Sequence, residues 1–282
     1  MLKKIWLCLV CMLFVQMPEQ VQAKSVIFMI GDGMGYNHID CVNEEVPLFM
    51  STLTPGYVKT YSADNDVTDS AASATAYACG IKTNNEYLGI NPNGQSCETI
   101  AERAAAKDVK VYIITNDDEY GATPSAFYVH TDSRHNKEEI DRYRKAAAKI
   151  MKLSFNVPST TEALQHVLRQ MDKDPYTEYL VVIEGAKIDK ASHYNDYDWM
   201  VKELVDFDNA VKLAWEYADT HEVAVIVTAD HETGHFREDN CDFGSRGHSD
   251  VDVPIYTKGL YRNVTTTIDN TKVYNLIKDT LY

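Results

Sequence analysis

Apolar positions in this chain come in short, nearly unbroken runs separated by stretches of helical period. Ser25–Gly31 (SVIFMIG), Val109–Thr115 (VKVYIIT), Tyr179–Glu184 (YLVVIE) and Val223–Thr228 (VAVIVT) are rich in β-branched residues. A strand that is apolar on both faces is covered on both, so these runs read as interior strands of a parallel sheet. Between them the spacing predicts helices at Asp69–Cys79, Cys97–Lys107, Thr160–Asp172, Asn195–Asp219 and near Lys272–Leu281. Strands alternating with helices predict an α/β fold: a three-layer sandwich with a mostly parallel central sheet flanked by helices on both faces. No internal repeat, low-complexity tract or long linker interrupts the pattern, so one domain over residues 24–282 is the simpler organisation.

Residues 1–23 stand apart. Lys3 and Lys4 precede an apolar run of 11 residues, Ile5 to Val15, and Val21-Gln22-Ala23 offers a cleavage site before Lys24. This is the pattern of a cleaved secretory signal, which predicts a periplasmic or secreted protein. The run is too short to span a bilayer, and bulky Leu9 and Val10 before Cys11 argue against a lipid anchor, so no stable membrane anchor is expected.

Composition narrows the partners. The chain has 282 residues, 45% of them hydrophobic and 24% charged, ordinary values for a folded globular protein. Acidic residues outnumber basic ones 42 to 27, for a formal charge of -15. Such a surface repels nucleic acid and anionic lipid. Of the six cysteines, Cys8 and Cys11 fall in the signal. Cys41, Cys79, Cys97 and Cys241 have no metal-knuckle spacing and could pair in any of three ways.

Acidic residues cluster where strands end. Asp32 follows the first strand, Glu184 closes the third, and Asp230-His231 follows the fourth. In open α/β sheets the carboxyl ends of strands form the site. One such carboxylate is commonly just a helix cap; three delivered to one edge are the pattern of a metal centre. Asp189 and His193 are four apart, one turn of a helix, and carboxylate with imidazole suits Zn²⁺. Glu184 offers hard oxygen better suited to Mg²⁺. Gly247-His248-Ser249 supplies a further imidazole; His166, His221 and His235 carry no assignment. At Asp69-Ser70-Ala71-Ala72, Ser70 reads locally as a helix N-cap, though a nucleophile or a bound phosphate would also gain from a helix N-terminus.

Ile30-Gly31-Asp32-Gly33-Met34-Gly35, the helix start Asp69 to Ala76, Glu184-Gly185 with Asp189 and His193, and Thr228-Ala229-Asp230-His231 stand in the order seen in the alkaline phosphatase family, which the chain resembles from about Lys24 to Tyr282. The resemblance implies an alkaline-phosphatase-like fold and an exported phosphomonoesterase acting on small-molecule phosphate monoesters. Ser70 matches the nucleophile that becomes phosphorylated. Asp32, Asp230 and His231 match the ligands of one zinc, and Asp189, His193 and His248 those of a second. Asp32, Thr123 and Glu184 match a third site that usually holds Mg²⁺. Arg134 matches the guanidinium that grips phosphate, with Asp69 orienting it, and Lys190 a lysine that reaches phosphate through water. A homodimer is left open.

Two departures accompany the resemblance. Arg134 and Glu184 are only 50 positions apart, because the long middle region of better-known members is missing. Gly121 stands where many members place Asp or His. The competing expectations are a phosphodiesterase, or another phosphoryl-transfer enzyme of the superfamily, and a non-catalytic phosphate- or zinc-binding relative. Arg134 favours monoesters, since a diester has one fewer free oxygen for it to hold. A mutase needs a large inserted domain, and a sulfatase needs a Cys/Ser-x-Pro-x-Arg setting that Ser70 lacks.

Overall fold

A computed structural model describes residues 23–282. The export signal expected at residues 1–23 lies outside these apart from Ala23. Its strands are β1 (Ser25–Gly31), β2 (Gly56–Lys59), β3 (Lys110–Thr115), β4 (Lys152–Ser154), β5 (Tyr179–Gly185) and β6 (Val223–Thr228), then four two-residue strands, β7 (Glu232–Thr233), β8 (Phe236–Arg237), β9 (Asp242–Phe243) and β10 (His248–Ser249), and finally β11 (Val253–Lys258) and β12 (Thr267–Asp269). The helices are α1 (Tyr36–Glu45), α2 (Ser70–Cys79), α3 (Ile100–Ala106), α4 (Ala122–Ser125), α5 (Lys137–Ala147), α6 (Thr160–Lys173), α7 (Lys187–Tyr194), α8 (Tyr197–Tyr217) and α9 (Thr271–Leu281).

Eight strands form one sheet in the order β12-β2-β11-β6-β1-β5-β3-β4. β11 runs antiparallel to both its neighbours, and the remaining pairings are parallel. The fold is therefore the α/β sandwich expected, with a mostly parallel sheet. β1 and β5 are buried at every position, as their unbroken apolar runs require. Helices α2, α3 and α9 pack on one another over the sheet, while α8 packs on the sheet and against both α6 and α7. Phe28 of β1 meets Tyr77 of α2 edge-on, with ring centroids 5.4 Å apart.

Local chemistry sets several boundaries differently from the periodicity. Thr99 caps α3 through a reciprocal pair with Glu102, so this helix starts three residues after Cys97. The helix expected over Asn195–Asp219 is α8, which starts two residues later and follows a separate short helix, α7. Asn195 adopts φ 54°, a left-handed conformation that ends α7, and Asp196 then caps α8 by accepting the N–H of Trp199. α1 and α5 carry weak apolar stripes and were not legible. The cysteines pair as Cys41–Cys241 and Cys79–Cys97, which resolves the three-way choice. Among the described residues no helix is long and apolar enough to cross a membrane.

The register of the sheet positions the site. Ile30 of β1 lies level with Glu184 of β5 and with Thr228 of β6, and Glu184 lies level with Thr115 of β3. Four neighbouring strands thus end on one line, and the residues that follow them, Asp32 and Asp230 included, emerge side by side.

Candidate active site and metal centre

Asp32 leaves β1 into a turn whose next residue must be glycine. Gly33 has φ +72°, and a Cβ there would lie 2.8 Å from the Cα of Asp189 and 2.9 Å from Oγ1 of Thr233. The close approach lets its N–H donate to Oδ1 of Asp230 at 3.1 Å. That oxygen also accepts the N–H of His231 at 3.0 Å. The other oxygen, Oδ2 of Asp230, is buried with no hydrogen-bond partner, and so is Oδ1 of Asp32. Both oxygens face the same atom: Nε2 of His231 is 3.3 Å from Asp230 Oδ2 and 3.5 Å from Asp32 Oδ1.

The protonation of His231 follows from its other nitrogen. Nδ1 lies 3.1 Å from Oγ1 of Thr233, whose hydroxyl donates to Oδ1 of Asp189 at 2.5 Å. Thr233 has spent its proton on Asp189, so its oxygen must accept from Nδ1–H. Burial, and next the neighbouring His248, hold the imidazole well below its ordinary pKa. Nε2 then carries a lone pair, facing two carboxylate oxygens that lack donors. A buried arrangement of three acceptors suits a shared cation.

Asp189, His193 and His248 converge similarly. Nε2 of His193 lies 3.3 Å from Asp189 Oδ1, and Nε2 of His248 lies 3.7 Å from it. The two imidazole Nε2 atoms are 3.2 Å apart. Each Nδ1 meets a backbone carbonyl, Arg246 for His193 and Thr68 for His248, the latter at 2.9 Å. A carbonyl can only accept, so both Nδ1 atoms are protonated and both Nε2 lone pairs point inward. One ligand atom from each member of this trio lies within 4.8 Å of the others, and the same holds for Asp32, Asp189 and His231. Asp189 therefore stands close to both groups.

The carboxylates respond to this crowding. Burial, then the charge of Asp230, pushes Asp32 well above the usual carboxylate range. Burial, then Asp189, raises Asp230 to about 6. Glu184 is raised by burial and, beyond that, by Asp117, to about 7, even though the Thr115 hydroxyl donates to it. Asp189 shows the opposite outcome. Burial pushes it up, but the neighbouring imidazoles of His193, His231 and His248 outweigh that and hold it low. These four buried carboxylates share one sheet edge with little cationic charge to balance them among the described residues, and divalent ions would supply it. Thr123 completes this edge. Its hydroxyl stands beside Glu184 and favours the carboxylate, yet Oγ1 is buried without a hydrogen-bond partner of good geometry.

Ser70 has a different place from the local expectation. It is the first residue of α2 and buried, and the N-cap is Asp69, whose Oδ1 accepts the N–H of Ala72 at 2.9 Å. Ser70 Oγ is freed from capping and stands 3.2 Å from Nε2 of His231, at the positive end of a ten-residue helix. Arg134 comes from a turn after α4, its N–H held by the carbonyl of Glu86 at 2.8 Å. Its guanidinium donates to Oδ2 of Asp69 at 3.1 Å. Lys190 is paired with Asp117, and no contact joins it to the Ser70 group among the described residues. Sequence reasoning missed Thr233, Thr115 and Asp117. Thr233 lies two residues beyond the Asp230-His231 pair, whereas nothing local marks the other two.

The chain as a whole is similar to known proteins. The family description "Alkaline phosphatase" matches residues 23–153 and 142–243, most of the chain. The chain belongs to the alkaline phosphatase family. It is 28% identical to alkaline phosphatase 4 of Bacillus subtilis over 77% of its length and 63% of that protein, and 27% identical to alkaline phosphatase 3 over 77% and 62%. The chain thus spans about three fifths of these two alkaline phosphatases. The alkaline phosphatase of the Antarctic bacterium TAB5 shares its fold, with a TM-score of 0.82 over 92% of this chain and 98% of that one at 24% identity. A variant of that enzyme, 25% identical with a TM-score of 0.80 over the same shares, was solved with magnesium in a site called M3.

Proposed function

We propose that this alkaline phosphatase relative is an exported phosphomonoesterase that transfers the phosphoryl group of small-molecule monoesters to Ser70 and then to water. The observation that carries the reading is the position of Ser70 Oγ, 3.2 Å from His231 Nε2 and relieved of capping by Asp69. A serine hydroxyl is a poor nucleophile on its own, and His231 is not placed as a general base: its Nε2 faces Asp32 and Asp230, the geometry of a ligand.

The orphaned oxygens and inward lone pairs fit cations. Asp32, Asp230 and His231 would hold one zinc, Asp189, His193 and His248 a second, and Asp32, Thr123 and Glu184 a magnesium ion, as the magnesium-bound TAB5 variant also supports. When bound, such ions act as Lewis acids and favour the deprotonated nucleophile at neutral pH.

The chain's own groups do the rest. Arg134, steadied by Asp69, offers a planar fork to two non-bridging phosphate oxygens. The N-terminus of α2 adds its partial positive charge where the phosphoryl group would sit. Ser70 Oγ forms the new bond to phosphorus as the ester oxygen departs and takes a proton from solvent. Water then attacks the phosphoserine, returning the Ser70 hydroxyl and releasing inorganic phosphate.

Hydrolysis of a chromogenic monoester and its diester at alkaline pH, with Zn²⁺ and Mg²⁺ and after chelation, tests this. Chelator-sensitive monoester turnover that Ser70→Ala abolishes is expected. A preference for the diester, or full activity in the variant, overturns it.

A further inference from the structure

Beyond the two ligand clusters, one carboxylate at this edge has an unexplained free oxygen. Asp117 leaves β3 with its backbone held at both ends: its N–H donates to Thr115 Oγ1 at 2.9 Å, and its carbonyl accepts the N–H of Asn156 at 2.6 Å. Its Oδ1 accepts the N–H of Asp118 at 2.7 Å and pairs with the Lys190 ammonium. No donor reaches Oδ2 among the described residues. That oxygen faces Gly121, where a Cβ would lie 3.1 Å from it, with Pro124 Cγ at 3.2 Å and the Asp118 carbonyl at 3.3 Å. Gly121 has φ -51°, which any residue adopts, so its backbone does not require glycine. What stands in the room beside it is the carboxylate of Asp117.

The surroundings point to a cation. Thr123, two residues beyond Gly121, presents its buried, unpartnered Oγ1, and Asp32 Oδ1 is equally bare. Asp117 is near enough to Glu184 that its charge adds to the upward push that burial begins. Thr115 ties the two carboxylates together, donating to Glu184 while accepting from the backbone of Asp117. As nothing more than the surface partner of Lys190, Asp117 would contribute little, and the second oxygen it turns into the room beside Gly121 would be idle.

We propose that Asp117 is the outer carboxylate of the third cation group, presenting Oδ2 to a hydrated magnesium-type ion held by Asp32, Thr123 and Glu184, in the place a side chain at position 121 would take. Lys190 fixes its other oxygen. The inference rests on the assignment of that third group above. Magnesium keeps several waters when bound, so an outer carboxylate that accepts from them is a natural partner.

Magnesium binding to the zinc-loaded protein, followed by equilibrium dialysis and elemental analysis, tests this. Asp117→Asn should weaken magnesium about 10–100-fold, leave zinc content unchanged and leave the melting temperature of the chelated protein no lower. Asp117→Ala should weaken it likewise, and Asp117→Ala with Gly121→Asp should recover most of the loss. Magnesium affinity within about twofold of the original in Asp117→Asn, or no recovery in the double variant, overturns the assignment of Asp117. If the unaltered protein binds zinc but no magnesium, the third group itself fails and this inference with it; Glu184→Gln separates the cases, since it should lose magnesium whatever Asp117 does.

Discussion

Removing the Glu184 carboxylate should make the metal-free protein more stable at pH 8. Glu184 is buried, and burial with the charge of Asp117 lifts its carboxyl from the ordinary 4.5 to about 7. In the chelated fold it binds a proton that the unfolded chain has already released. The stabilisation from that proton is complete below pH 4.5 and is lost as pH rises through 7. At ~1.4 kcal/mol per tenfold change in proton affinity, the fold gives up about 3 kcal/mol by pH 8. For a protein of this size that is a fall in Tm of roughly 6–12 °C. Glu184→Gln is neutral at every pH and keeps an oxygen for the Thr115 hydroxyl. Its chelated form should therefore melt roughly 6–12 °C above the chelated original at pH 8, with the gap closing toward pH 5. With saturating zinc and magnesium the order should reverse, because zinc stabilises both proteins while magnesium, which Glu184 helps to hold, stabilises only the unaltered one. Asp230, raised to about 6, shares the same site, so Asp230→Asn should shift in the same direction without adding its full effect. Scanning calorimetry at pH 5, 6.5 and 8, with chelator and with metals, reads all of this. A chelated Glu184→Gln protein that is folded but melts at or below the original at pH 8 would refute the reasoning, since the cost of burying the Glu184 charge would then be smaller than that of the contacts the substitution disturbs.

Thr233→Val keeps the volume but removes both the donor to Asp189 and the acceptor for His231 Nδ1; zinc affinity, measured by competition with a chromogenic chelator, should fall about 10–100-fold while Thr233→Ser retains it. Arg134→Lys replaces a planar fork with a point charge, so KM for a monoester and the inhibition constant of inorganic phosphate should both rise about tenfold or more (~1.4 kcal/mol), with metal content unchanged. Cys41 and Cys241 are 200 residues apart and Cys79 and Cys97 only 18, so in the chain-entropy view breaking the first should cost about 5 kcal/mol and the second about 3 kcal/mol. Serine pairs at each bridge, compared by denaturant unfolding, give the order.

The features legible along the chain are those that neighbouring residues encode. Short runs that are apolar on both faces and rich in β-branched residues read as interior strands, so the four central strands and the α/β class could be read directly. The carboxylates placed directly after those strands, Asp32, Glu184 and Asp230, were legible for the same reason, because a strand end in a parallel sheet is a surface edge. The four-residue spacing of Asp189 and His193 likewise indicated a shared helical face, which α7 provides.

Whatever depends on register and on distant partners came from the packing alone. Ser70 and Asp69 are adjacent and both can cap; only the packing of α2 against the sheet gave the cap to Asp69 and turned Ser70 toward His231, 161 positions away. His248 is one of nine histidines until the carbonyl of Thr68, 180 positions away, fixes which nitrogen faces inward. The four cysteines allowed three pairings because spacing along the chain does not say which side chains meet, and the fold chose by proximity. Thr233 joins the two ligand groups, and Asp117 reaches the room beside Gly121, because short hydroxyl and carboxyl groups act through contacts about 3 Å long. Such contacts are set by how strands align and helices pack. They leave no periodicity along the chain.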